Sequence, residues 1–160
     1  MNEILQRIET LKIKGVTAES AVEIDELYSK ACELSKKHSL DKKIFLQYSD
    51  FLHLQKQDTK ELELLLSVLE WFEKFGTWEE KSDFWRNLGN NYLSSSNVFK
   101  SLECYDKAYK INGALCQLNP SEENSLNKAK LSYNISLAYG KNNDREKSRE
   151  YAKDCVSEFE

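Results

Sequence analysis

The chain has 160 residues, with 23 lysines and arginines against 27 acidic residues and a formal net charge of -4. That length predicts one domain with a core of its own. The near-balanced charge, mixed along the whole chain, gives no electrostatic reason to expect nucleic acid or an anionic membrane as partner, and leaves at most a preference for a basic or neutral one. With a single proline, Pro120, and five glycines, the chain has little material for turns, so an all-α fold of long helices with short connections is expected.

The four cysteines, Cys32, Cys104, Cys116 and Cys155, form none of the C-x2-C pairs that metal or redox sites use, and read as free thiols buried as small apolar residues. The opening Met1-Asn-Glu-Ile-Leu-Gln-Arg7 has no basic stretch with an apolar run behind it, and no segment is apolar for long enough to cross a bilayer. A reducing cytoplasm is the expected compartment, with no cofactor and no metal.

In chain order, Ile4, Leu5, Ile8, Leu11 and Ile13 mark a short N-terminal helix over 1-15, ending at Lys14-Gly15, that suits a docking flap or a cap. Thr17 reads as an N-cap for a helix carrying Ala21, Ile24, Leu27, Tyr28, Ala31 and Leu34 to about Lys37. After a turn at His38-Ser39-Leu40, a third helix carries Ile44, Phe45, Tyr48, Phe51 and Leu52. Asp58-Thr-Lys-Glu61 has the capping-box pattern, starting one helix through Leu62, Leu65, Leu69 and Phe72 to Phe75, with Gly76 as a left-handed stop.

Thr77-Trp-Glu-Glu80 is a second capping box, opening a helix from Trp78 to about Leu93. The turn Ser94-Ser-Ser-Asn97 follows, and Val98, Leu102, Tyr105, Ala108, Ile111, Leu115 and Leu118 trace a long helix that Gly113 weakens without ending. Asn119-Pro-Ser-Glu122 predicts a new start, with Asn119 as cap and Pro120 in the first helical position. That helix covers Leu126, Ala129, Leu131, Ile135, Ala138 and Tyr139, and Asn143-Asp-Arg-Glu146 caps a last one through Ser148, Tyr151, Ala152 and Cys155 to Phe159. Eight helices and no strand result.

The most patterned stretch is Trp85-Arg-Asn-Leu-Gly-Asn-Asn-Tyr92, a W-x2-L-G-x2-Y run followed at helical spacing by Ser101, Tyr105 and Ala108. Leu88, Gly89, Tyr92, Ser101, Tyr105 and Ala108 find counterparts in Ile135, Ser136, Tyr139, Ser148, Ala152 and Cys155, with Tyr92 and Tyr139 separated by 47 residues. Small residues at Gly89, Ser101, Ser136 and Ser148 would let the two helices of a pair approach closely, the aromatic residues filling the gap to the next pair.

On these residues the chain resembles the tetratricopeptide-repeat family, well over 82-115, moderately over 129-158 and only in topology over 17-75. The longer repeats with a proline in one connection are similar to those of kinesin-light-chain-like and bacterial regulatory repeat proteins. The departures are Ser132 where the family prefers tryptophan, Gly113 where it often has proline, and Ala152 in place of a large aromatic. The resemblance implies antiparallel helix-turn-helix pairs stacked in a right-handed superhelix, with divergent pairs over 17-75, the best-matching repeat over 77-118 and a weaker one over 119-160. It further implies a non-catalytic adaptor, scaffold or regulatory module that holds a peptide or helix of a protein partner in a groove.

Carried over position by position, the groove residues are Asp83, Arg86, Asn90 and Leu93, then Lys130, Tyr133, Asn134, Leu137 and Lys141. Arg86, Asn90 and Asn134 fall where chaperone-binding members place part of a carboxylate clamp, whose guanidinium and amide donors can share two carboxylate oxygens. Two other readings stay open: a self-associating element whose groove is filled internally or by a second copy, giving a homodimer, and an enzyme whose site forms only on folding.

Other chemistry finds little support in the pattern. His38 and His53 lack a second histidine one turn away or a nearby cysteine, Glu146 and Glu150 stand beside Lys147 and Arg149 as on a solvated charged face, and no glycine-rich phosphate loop occurs. Trp71, Trp78 and Trp85 recur every seventh residue, but the break at Gly76-Thr77 separates Trp71 from the other two, so they read as core residues rather than a stacking stripe.

Overall fold

The chain folds into helices, several of them started by side-chain caps. In a computed structural model that describes residues 1-38 and 42-157, these are α1 (Asn2–Ile13), α2 (Ala18–Lys37), α3 (Lys43–Leu54), α4 (Asp58–Leu66), α5 (Leu69–Phe75), α6 (Trp78–Ser94), α7 (Val98–Leu118), α8 (Glu122–Lys141) and α9 (Arg145–Ser157). No strand occurs among the described residues, and the fold is all-α. Among the described residues no helix is long and apolar enough to cross a membrane. Ser39 and Leu40, expected in a turn, and Phe159 lie outside the described residues.

Thr17 and Thr77 cap α2 and α6, each within a reciprocal capping box, and Asn97 caps α7. In α8 and α9 the expected cap is displaced by two residues and by one. Ser121, not Asn119, caps α8 by accepting from the Asn124 N–H at 3.1 Å, so Pro120 lies just outside the helix. Asp144, not Asn143, accepts from the Lys147 N–H at 3.1 Å, because Asn143 has swung to φ 60° to close the preceding turn. Asp58, expected as a cap, is the first helical residue of α4, and the Glu61 side chain turns inward and is 1% exposed.

The run from Asp58 to Phe75, expected as one helix, breaks at Ser67-Val68, giving nine described helices rather than eight. Serine competes for backbone hydrogen bonds and valine loses side-chain freedom in a helix, so this is where the run gives way. Val68 takes φ -122°, and its N–H reaches back only three residues, to Leu65 O at 3.1 Å. Gly76 ends α5 at φ -65°, ψ 146° rather than in the left-handed region. Its missing side chain matters for space, because a Cβ there would come within 2.7 Å of Phe72 O.

The chain divides into two compact units, Met1–Leu64 and Leu65–Glu160, with the division inside α4. In the first, α1 lies on α2 as a cap: Ile8 and Leu11 are buried, Arg7 pairs with Glu23 at 2.7 Å, and Lys12 Nζ donates to Tyr28 Oη at 2.7 Å. Tyr28 stacks on Tyr48 with ring centroids 5.2 Å apart. The Asp25 carboxylate accepts from Tyr48 Oη at 2.8 Å and Lys60 Nζ at 2.5 Å, tying α2 to α3 and α4.

In the second unit α6 pairs with α7 and α8 with α9, and α7 also lies along α8. Gly89 lies against one side of the Tyr105 ring, so this aromatic fills its own helix pair instead of the gap to the next. Between pairs the filling comes from Tyr151, which stacks on Tyr139 and meets Tyr109 edge-on, both at 5.8 Å. Of the three tryptophans Trp85 is buried and Trp71 half-buried, but Trp78 is exposed, at 61%, with Lys81 Nζ over its ring. Burial pushes the Cys104 thiol up to about 11 and the Cys32 thiol up to about 12, as expected for inert core thiols, whereas Cys116 and Cys155 are half-buried.

Three turns share one device. Lys56 (φ 56°), Ser96 (φ 61°) and Asn143 (φ 60°) are left-handed, and the N–H of the next residue bonds the carbonyl five positions back: Gln57 to Leu52, Asn97 to Tyr92 and Asp144 to Tyr139. Counted from these residues, Phe45, Tyr48, Ser49 and Leu52 of α3 hold the places of Trp85, Leu88, Gly89 and Tyr92 in α6, and Glu61 that of Ser101.

α7 runs unbroken through Gly113, where an added Cβ would meet nothing within 4 Å. Gly113→Ala is therefore expected to stabilise the chain by about 0.5–1 kcal/mol, the backbone freedom that glycine forfeits in a helix. An unchanged or lowered thermal midpoint would show that the helix needs flexibility there.

Candidate interaction face on α6 and α8

The capping box at Thr77 sets the phase of α6 so that Asp83, Arg86 and Asn90 fall along one edge, while Trp85, Leu88 and Tyr92 turn to the opposite side. Ser121 does the same for α8, aligning Leu126, Lys130, Tyr133, Leu137 and Lys141 in one exposed stripe. The two edges meet at Asn90, whose Oδ1 accepts from Asn134 Nδ2 at 3.0 Å and from Tyr105 Oη at 2.6 Å. Asn90 and Asn134 are therefore the joint between α6, α7 and α8.

Asp83 and Arg86 pair at 3.1 Å. Burial holds the Asp83 carboxyl above its ordinary range; Arg86 and Lys130 oppose that shift, while Glu123 and Glu79 add to it. Lys130 on α8 thus shares a field with the α6 pair. Leu93, carried over as a groove residue, is only 9% exposed and its side chain belongs to the core.

The open part of the face is on α8. Leu126, Tyr133 and Leu137 are 41%, 55% and 44% exposed, an apolar strip interrupted by the exposed Lys130 and closed by Lys141. Leu126 reads as a core position from periodicity alone. Its spacing of four and seven residues from Lys130 and Tyr133 is the signal that places it outside.

On the far side of α6 lies a second cleft, floored by Leu66, Leu69, Trp85, Leu88 and Cys104 and rimmed by Lys100 and Lys107. Lys107 Nζ stands 3.9 Å from the Trp85 ring centroid and Lys100 Nζ 5.3 Å from that of Tyr92, so cations occupy the aromatic faces there.

Among the described residues one set of side chains has metal-ligand chemistry: donor atoms of His53, Asp58 and Glu61 lie within 4.8 Å of one another. Searching for paired histidines or cysteines overlooks it; the H-x4-D-x2-E spacing across the α3–α4 turn was its signal.

No protein-family model matches the chain, and no curated protein matches it either. Among solved structures, the chain is similar to one titled "Crystal structure of MamA", with 13% identity, coverage of 94% of this chain and 93% of that chain, and a TM-score of 0.47.

Proposed function

We propose that the chain is a tetratricopeptide-type interaction module without catalytic activity, which binds an amphipathic helix or extended segment of a protein partner along α8. The carrying observation is the strip Leu126–Tyr133–Leu137, three large apolar side chains left at 41–55% exposure on one helix face and framed by Lys130 and Lys141. Apolar anchors at helical spacing within a polar frame are what a helix-in-groove or extended-peptide partner buries. The left-handed turns and the small-residue contact of Ser136 with Ser148 support the family reading, and four free thiols suit a reducing cytoplasm.

The test of this function belongs on α8 rather than on Arg86 and Asn90. Because Asn90 holds helices together, alanine there would confound binding with stability. Tyr133→Ala with Leu137→Ala removes side chains that are about half exposed, at 55% and 44%, so the double variant should stay folded and melt within about 1–2 kcal/mol of the parent while losing about ten-fold or more in affinity for the captured partner. Equal capture by parent and variant would exclude the face. A concentration-dependent dimer in sedimentation that the same variant abolishes would instead make a second copy the occupant.

A further inference from the structure

We propose that His53, Asp58 and Glu61 bind one divalent first-row transition ion, zinc being the reference case, across the turn between α3 and α4. Their donor atoms lie within 4.8 Å of one another, and His53 Nδ1 stands 3.1 Å from Glu61 Oε2. That separation is close to the edge of roughly 3.3 Å between two ligands of a tetrahedral ion with bonds of about 2.0 Å. One imidazole nitrogen with two carboxylates selects zinc and its neighbours over magnesium or calcium, which take oxygen donors.

The backbone preforms the arrangement. Left-handed Lys56 folds the first turn of α4 back on the last turn of α3, with the Gln57 N–H on Leu52 O at 2.9 Å. Ser49 Oγ donates to Glu61 Oε1 at 2.9 Å, leaving Oε2 to face the imidazole. Such outer hydrogen bonds orient a ligating carboxylate. His53 keeps 35% of its side chain exposed, which gives an ion a route in and solvent a place to complete the coordination.

The turn itself does not call for these groups. At the place of Glu61 the α6–α7 and α8–α9 hairpins carry Ser101 and Ser148, and opposite them Gly89 and Ser136, so two of the three hairpins close on small side chains. Glu61, 1% exposed and held by Ser49 and His53, instead brings a carboxylate to that place, where Asp58 lies close enough to share a cation with it.

The test is titration of the full chain with cobalt(II) as a spectroscopic probe and zinc chloride in a calorimeter, magnesium serving as control. Expected are one equivalent of zinc bound, no heat with magnesium, and affinity lowered about ten-fold or more in both His53→Gln and Asp58→Asn, with His38→Gln unchanged. Each variant's thermal melt, recorded in chelator, establishes that it is folded. No zinc binding, equal binding in His53→Gln and Asp58→Asn, or a thiolate-to-cobalt charge-transfer band, which would place the ion on cysteine, would each overturn the proposal.

Discussion

Gly89→Ala is expected to destabilise the second unit by about 2 kcal/mol, although alanine is the better helix former. A Cβ on Gly89 would stand 2.6 Å and 2.7 Å from two carbons of the Tyr105 ring, well inside contact distance. The ring is 0% exposed and its hydroxyl is bound to Asn90 at 2.6 Å, so it cannot slide aside without opening the Tyr105–Asn90–Asn134 chain. Overpacking of this kind costs about 1–3 kcal/mol and a strained hydrogen bond about 1 more, against about 1 kcal/mol gained in helix propensity. A midpoint equal to the parent's in thermal or denaturant unfolding would show that α6 and α7 can separate at no cost.

The second helix pair supplies the control. There Ser136 and Ala152 stand in the places of Gly89 and Tyr105, a larger residue opposite a smaller one, and Ser136 Oγ reaches across to Ser148 O at 2.7 Å. Tyr105→Ala alone should cost about 3–5 kcal/mol, as large-to-small core changes do. In that background Gly89→Ala should become neutral or stabilising by up to about 1 kcal/mol. The double-mutant cycle therefore has a large coupling term if the contact is as described, and none if Tyr105 can yield to a Cβ at Gly89 without cost.

The same pair shows what sequence pattern can carry. Thr17, Thr77 with Glu80, and the Trp85–Tyr92 run announce their structure because caps and small-residue contacts are local and specific in chemistry. The α3–α4 hairpin uses the same geometry and hides it: Phe45, Tyr48, Ser49, Leu52 and Glu61 are all buried, yet only Ser49, small like Ser136, has a residue type that marks its place in the later pairs. Its turn gives no signal either, since Lys56 takes a left-handed conformation usually given to glycine or asparagine. On the candidate face, spacing alone places Lys130, Tyr133, Leu137 and Lys141 together on the outside of α8. Asn90 and Leu93 depend on what arrives from elsewhere, Tyr105 and Asn134 for the first and the core of the second unit for the other, and helical periodicity does not contain that.

Glu61→Ala, measured in chelator, is expected to cost about 3 kcal/mol and to lower the midpoint of the first unit by about 12–24 °C. The carboxylate is 1% exposed between Ser49 and His53, so its loss empties space in the core and takes an acceptor from a fully buried serine hydroxyl. His53, 35% exposed, can turn to water, which keeps the loss at the lower end of that for breaking a buried pair. Glu61→Gln, which retains shape and an acceptor for Ser49, should cost about half as much. The sign of the pH dependence follows from His53, whose folded pKa is raised above 6.5, first by the Glu61 hydrogen bond and then by the Glu61, Asp58 and Asp50 charges against the opposing effect of burial. Its contribution is fully present below about 6.5 and is lost as pH rises through the higher folded value. The gap between parent and Glu61→Ala should accordingly narrow from about pH 6 to about pH 8, by a small amount because solvent screens the half-exposed ring. A gap that widens over that range would mean that Glu61 holds His53 neutral, and a Glu61→Ala midpoint within a degree of the parent's would remove the buried pair from the list of what stabilises this hairpin.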